Sequence, residues 1–540
     1  MIPQSSTTRW ADGVVLPRRD FLRAAGLLGV LTLGAGTAAC GSSDSANGRA
    51  GGRQVSGGTF TAALANPFPD LEPSVIPYVG AIVSSWFWGE RLYRVDQFAP
   101  RDELIPELAV AMPEQVSPTT YRVAVRKGVT FHDGSPLTAE DVKFTFDWIR
   151  DPDTGSLWPQ FLGFLGDVRV TADDEVEFDL QTPTTLLARR LVLVPIRPRS
   201  ATTPFELQPI GSGPFRVVSA VSDQEIIMER FEAYNGNHGP GYDRLEFVRV
   251  ADANARVAGL RSGGYAVIED VPAAALAELD AAPGANADAV DSYVWTVLYF
   301  HCGKPPFDDV RVRQAVMYGV DREAIAQAAF FGQAVPAWAG FISPDHPEFT
   351  EPRTVHRYDP GHARRLLNDA GHGGEAIPID VVYHSDYEFV PAQVPIIEQN
   401  LRDIGFAPAM IPMEFSAADA RMVEGDYHLT INGPADWSLF APDLEFLLRG
   451  SFTGFVTQRM VHWNGDAASK VEALLAQAIE APNEDDRRVL LAMAQDLVQE
   501  QVPIGALFHK KQPTGWSDTT TDFRPLPTAG VAIDSVVGSG

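Results

Sequence analysis

Residues 130–148, TFHDGSPLTAEDVKFTFDW, set His132 beside Asp133 and follow them with an acidic helix start. An imidazole next to a carboxylate is raw material for general acid–base catalysis or for metal ligation. The spacing supports neither, because no second ligand stands at metal spacing and every residue has a structural use. Asp133-Gly134 supplies the positive φ of a tight turn after the strand-like YRVAVRKGVTF. Thr138 with Asp141 three residues later forms a variant capping box, and Val142, Phe146 and Ile149 then share one helical face. Enzyme signatures fail elsewhere too: there is no H-E-x-x-H, no G-x-S-x-G and no phosphate loop. GSGPF at 211–215 lacks the helix opening of a nucleotide fingerprint and reads as a place where backbone passes closely between packed elements. Cys302 reads as a buried, unreactive thiol. The expectation is a chain with no catalytic residue, no metal site and no cofactor.

The elements that must position such residues change character along the chain. From Thr59 to about Val250 period-two stretches dominate, among them VRVTADDEVEFDL and GPFRVVSAVSDQEIIMERF. From about Asp309 the period is helical. DPGHARRLLNDAG carries its own punctuation, with Asp359 as N-cap, Pro360 at the first position and Gly371 just past the end. NEDDRRVLLAMAQDLVQEQVP has Asn483 as cap, three acids in its first turn and Pro503 as its stop. With 540 residues, 45% of them apolar, two or three domains are expected. The 43 basic and 70 acidic residues leave a net charge of −27, which repels phosphate backbones and excludes nucleic acid as a partner. Two cysteines, Cys40 and Cys302, make neither a disulfide framework nor a four-ligand zinc site.

The first residues read as an address. Arg18 and Arg19, then Phe21, Leu22 and Arg23, precede a mild, glycine-broken apolar run, the pattern of a twin-arginine export signal over residues 1–39. The run from Ala24 to Ala39 is shorter than the roughly 20 apolar residues of a membrane span. Thr37-Ala38-Ala39-Cys40 resembles a lipoprotein cleavage box, with Thr37 where leucine is usual, so Cys40 is the expected site of lipidation; simple cleavage nearby is the alternative. Residues 40–58, rich in glycine and serine, read as a flexible tether.

Several segments, in order, carry a family resemblance: RLYRVD, LIPELAVAMPEQ, YRVAVRKGVTFHDGSPLTAEDVKFTFDW, IGSGPFRVV, RFEAYNGN, PPFDDVRVRQAVMYGVDREAI, YDPGHARRLLNDAG and LRDIGF. Together they resemble the extracellular solute-binding proteins of peptide and nickel ABC importers, the dipeptide- and oligopeptide-binding proteins of family 5, over roughly Thr59 to Ser517. The resemblance implies an α/β fold of the large class II periplasmic-binding-protein type, two lobes closing on a solute, with an inserted small third domain. Carried onto this chain, lobe I is 59–95, 206–295 and 505–540, the inserted domain is 96–205, and lobe II is 296–504.

The resemblance also nominates ligand contacts. Members that take free peptides hold the α-ammonium with an aspartate, here Asp436 in DYHLTINGPADWSLFAPDLEF. This chain departs from that pattern: Pro442 follows Asp436 by six residues rather than four, and Gly433 stands where tryptophan is frequent. The competing reading of Asp436 is a solvated loop acid. His384 and Tyr387 end a strand of the second lobe, Asn66 closes the first strand of lobe I, and Trp338, Trp437 and Trp463 could supply flat apolar walls, although any single such tryptophan is more often core than pocket. The implied function is a non-enzymatic binding lipoprotein that captures a small solute, a di- or oligopeptide first of all, and delivers it to the transmembrane subunits of an ABC permease. It is expected as a monomer, exported and lipid-anchored on the outer face of the cell membrane or periplasmic. A metal chelate, haem or a saccharide are the alternative ligands, and a secreted hydrolase is the alternative from another class.

Overall fold

The computed structural model describes residues 57–538 except 76–77, 97–102, 237–238, 293, 345, 347, 386, 388, 436–442, 521–522 and 533–536. Two large sheets and one small one organise the chain. The strand Thr59–Leu64 lies at the centre of a seven-stranded sheet, parallel to Arg244–Arg249 on one side and Val267–Glu269 on the other. A strand with neighbours on both edges and cover on both faces must be apolar where it is covered, and Phe60 and Ala62 to Leu64 are buried while Thr59 at its start is exposed. Outside it stand Glu225–Arg230 and Phe215–Val221 at one edge and Gln512–Ser517 and Ala285–Val290 at the other.

The second sheet has six strands, in the order Ala334–Pro336, Ile504–Lys510, Trp295–Phe300, Leu429–Ala435, Ile377–His384, Phe406–Met413. Helices Val310–Gly319, Pro360–Asp369 and Phe389–Ile404 pack their apolar faces on it. Their ends follow the sequence signals: the Asp359 side chain accepts the His362 amide at 2.7 Å, Asn483 accepts the Asp486 amide at 2.9 Å, and Gly371 adopts φ +93°. These two sheets make the fold two-lobed.

The chain crosses between the lobes twice, side by side. Ala285–Val290 pairs antiparallel with Gln512–Ser517 in the first sheet, and Trp295–Phe300 pairs antiparallel with Ile504–Lys510 in the second. A two-stranded ribbon therefore runs from one lobe into the other, with Lys511 as the single residue between its two late strands. This moves one expected boundary. Residues 505–510, assigned to lobe I from the sequence, belong to the second sheet, and the return falls at Gln512. IGALFHK is buried along its whole length, so no alternation marked which sheet it would join.

Between Thr59–Leu64 and Phe215–Val221 of the first sheet the chain builds a four-stranded antiparallel sheet, Glu114–Ser117, Thr120–Ala124, Glu175–Leu180 and Leu165–Ala172, backed by the helix Ala139–Arg150. The capping box is present: Asp141 Oδ2 accepts both the amide and the hydroxyl of Thr138 at 2.9 Å. Val142, Phe146 and Ile149 point into a core that also takes in Phe446 of the second lobe.

Candidate functional site

His132 is a structural residue. It is buried, its Nε2 lies 3.0 Å from the Gly213 carbonyl, and its Nδ1 accepts the Gly211 amide at 3.4 Å. Those two bonds require the neutral ring with its proton on Nε2, and burial pushes its pKa down to about 4. The glycines beside it allow a close passage: a β-carbon on Gly211 would stand 2.1 Å from the Trp88 carbonyl oxygen, and one on Gly213 would stand 2.5 Å from that of Phe87. Cys302 is likewise inert, its thiol pushed up to about 11 by burial.

The residues that meet between the lobes are different ones. His384 ends the strand Ile377–His384 and is fully buried. The Phe415 ring packs edge-on to it at 5.0 Å, and Tyr387 lies 5.9 Å from His384 and 6.0 Å from Phe415. Asp419, one helical turn beyond Phe415 on the helix Phe415–Glu424, brings Oδ1 to 3.9 Å from His384 Nε2. From the first lobe, Tyr78 at the start of the helix Val79–Trp88 reaches across, 6.3 Å from Phe415. Its phenol, hydrogen-bonded with the Ser416 side chain, is held above its usual pKa first by burial and then by Asp419, Asp223 and Asp70. The arrangement is an aromatic and carboxylate-lined contact between two lobes.

Of the residues expected at the ligand, His384 and Tyr387 fall in this cluster. Asn66 is buried just after the first strand of the first lobe. Trp463 is packed in the second lobe's apolar core, and the Trp338 ring carries the Arg322 guanidinium at 4.8 Å from its centroid. Asp436 and Trp437 lie outside the described residues, as do Arg18, Arg19 and Cys40. Tyr78, Phe415 and Asp419 were missed. The one available signal was the four-residue spacing of Phe415 and Asp419 on a single helix face. Among the described residues no group of three or more His, Cys, Asp or Glu is placed to hold a metal, and no helix is long and apolar enough to cross a membrane.

Two lobes joined by a double crossover, with polar and aromatic side chains meeting between them, make up the frame of the chain. Residues 103–455 match the model of the bacterial extracellular solute-binding proteins, family 5, and the chain belongs to that family. A relative in Brucella ovis, named provisionally as an ABC transporter peptide-binding protein, is 31% identical over 294 residues, 51% of this chain and 53% of that protein. The matched region thus spans about half the length of that relative. Among solved structures, AgaA of A. tumefaciens R10 in complex with agropinic acid superposes with a TM-score of 0.77 at 23% identity, covering 87% of this chain and 96% of the other. A dipeptide-binding protein of Pseudoalteromonas sp. SM9913 in complex with Met-Leu gives 0.79 at 19% identity, covering 89% of this chain and 100% of the other. These structures share the two-lobed fold.

Proposed function

We propose that this chain is the solute-capturing component of an ABC importer, that it takes a di- or oligopeptide between its lobes, and that it hands the solute to the transmembrane permease subunits without chemical change. The observation that carries the reading is the cross-lobe cluster of Tyr78, Phe415, Tyr387 and His384 around Asp419 in a chain of the solute-binding family. The provisional name of the Brucella relative supports a peptide. The export signal, lipidation at Cys40, the monomeric state and the lobe limits at 96, 206 and 296 belong to the same proposal.

A peptide's α-ammonium leaves water when lobes close on it and then needs a fixed anion. Asp436 is assigned that role. Calorimetry on a four-member cycle tests it: a free dipeptide and its N-acetyl form, each with the unmodified chain and with Asp436→Ala. Losing one partner of a buried charge pair costs about 2–5 kcal/mol, so each change alone should weaken binding by about 30-fold or more, and the two together should not add. Affinities within about threefold across the cycle would remove the ammonium reading. A non-peptide solute, such as a metal chelate, haem or a saccharide, would then take its place. The displaced proline after Asp436 favours that second reading, and a solved relative of the same fold is named for its agropinic acid complex.

A further inference from the structure

Beside the double crossover lies a cavity of about 240 Å³ with walls from both lobes. Pro272 and Pro513 face it from the first lobe, and Phe330, Phe331, Tyr387 and Phe389 from the second. Ligand pockets commonly run about 300–1,000 Å³, so this one fits a group of side-chain size rather than an oligopeptide.

Its polar lining has one dominant sign. In a chain of net charge −27, Arg256, Lys510 and Lys511 all border the void, with Asp270 as the acidic residue among them. Asp270 is engaged: its Oδ1 takes the Lys510 ammonium at 2.5 Å. Arg256 spends its guanidinium on the carbonyls of Glu269, Val250, Ala251 and Asp270, at 2.6–3.0 Å, which satisfies its donors but leaves its charge. The carboxylates of Glu269 and Asp291, which offset these charges, do not line the cavity. Lys511 holds the exchangeable pair. Its Nζ is 3.4 Å from Asp291, whose side chain is 72% exposed, so solvent already competes for that contact. At the mouth, Phe331 is 61% exposed and sits at φ +51°, a conformation rarely adopted by a bulky residue. An exposed aromatic side chain held out in this way offers apolar surface to an incoming group.

We propose that this cavity is a subsite for a carboxylate attached to an apolar body of side-chain size, with Lys511 exchanging Asp291 for the incoming carboxylate and the phenylalanines covering the apolar part. The proposal rests on the solute-binding reading but is argued from residues other than Asp436. Two sources share the chemistry: the C-terminal residue of a peptide, and a free aryl- or alkyl-carboxylate. Because both lobes line the void, either ligand would favour their closed arrangement.

The test is calorimetry on the purified chain at low ionic strength with 3-phenylpropanoate, 3-phenylpropanamide, Gly-Phe and Gly-Phe amide. 3-Phenylpropanoate is expected to bind at least tenfold more tightly than its amide. Lys511→Gln, a change at a partly exposed side chain, should remove most of that preference, and Ala273→Trp, which fills the void, should abolish binding of both. Absence of 3-phenylpropanoate binding, equal affinity for acid and amide, or a Lys511→Gln effect under twofold overturns the subsite. If 3-phenylpropanoate binds and Gly-Phe does not, the subsite stands, its source is a free carboxylate, and the peptide reading loses support. If Gly-Phe binds no better than its amide and 3-phenylpropanoate does not bind, the peptide reading stands and the subsite falls.

Discussion

Arg190, from the small four-stranded unit, and Asp443, the N-cap of the helix Leu444–Phe452 in the second lobe, are hydrogen-bonded ion-pair partners whose side chains are both 0% exposed. Glu445 joins them on the second guanidinium nitrogen, and the Phe161 and Phe446 rings stack at 4.0 Å alongside. Burial alone would raise the Asp443 carboxyl, yet the charge and hydrogen bonds of Arg190 hold it at about 2. The pair thus fastens the inserted unit to the second lobe, far apart in sequence.

Arg190→Ala should destabilise the fold by about 3–5 kcal/mol, because Asp443 is left buried without its ion-pair partner and Glu445 keeps only Arg449. Urea denaturation at pH 7 measures it. Asp443 contributes stability above its unfolded pKa near 3.8, and that contribution is lost as pH falls toward 2. In the variant the uncompensated carboxyl protonates more easily, so the gap between the two proteins should narrow toward pH 4. A loss below 1 kcal/mol at pH 7 would contradict the fastening role.

His132 gives a second expectation. Its folded pKa of about 4 lies below the usual 6.5, so the unfolded chain binds the extra proton between those values. Stability from the neutral ring is therefore complete above pH 6.5 and declines as pH falls toward 4, by up to about 1.4 kcal/mol per pH unit. Nitrogen NMR should show the ring neutral, protonated on Nε2, at pH 5.5. The advantage of the unmodified chain over His132→Gln should shrink between pH 7 and pH 5. A titration midpoint at 6 or above would contradict the two-bond geometry with Gly211 and Gly213.

Much of this was legible from local signals. The turn at Asp133-Gly134, the cap at Thr138 and the helix from Asp359 are each decided within four or five residues, and the glycines at 211 and 213 read correctly as a close passage. What stayed hidden depends on distant pairing. The strand Ile504–Lys510 is buried throughout, so no alternation along it marks which sheet it joins. Trp463 and His384 are both strongly buried, yet one is core and the other faces the interlobe cluster. Composition cannot separate them, because the difference lies in what Phe415 and Asp419 bring from another helix.

Export supplies a third expectation. Replacing Arg18 and Arg19 by lysines should leave the precursor in the cytoplasm, and Cys40→Ala should release the protein from membrane fractions. Fractionation followed by immunoblotting reads both. Unchanged surface display of the double lysine variant would contradict a twin-arginine signal, and continued anchoring of Cys40→Ala would contradict lipidation there.

Tyr78 and Phe415 meet from opposite lobes, and a solute captured between those lobes is expected to hold them closed. Solution scattering tests this most directly, with the radius of gyration of the purified chain recorded first without solute and then with a peptide at a concentration shown by calorimetry to saturate it. The expected result is a smaller radius of gyration with peptide bound, because closure is the state whose contacts the solute stabilises. Superimposable scattering curves at saturation would contradict capture by closure.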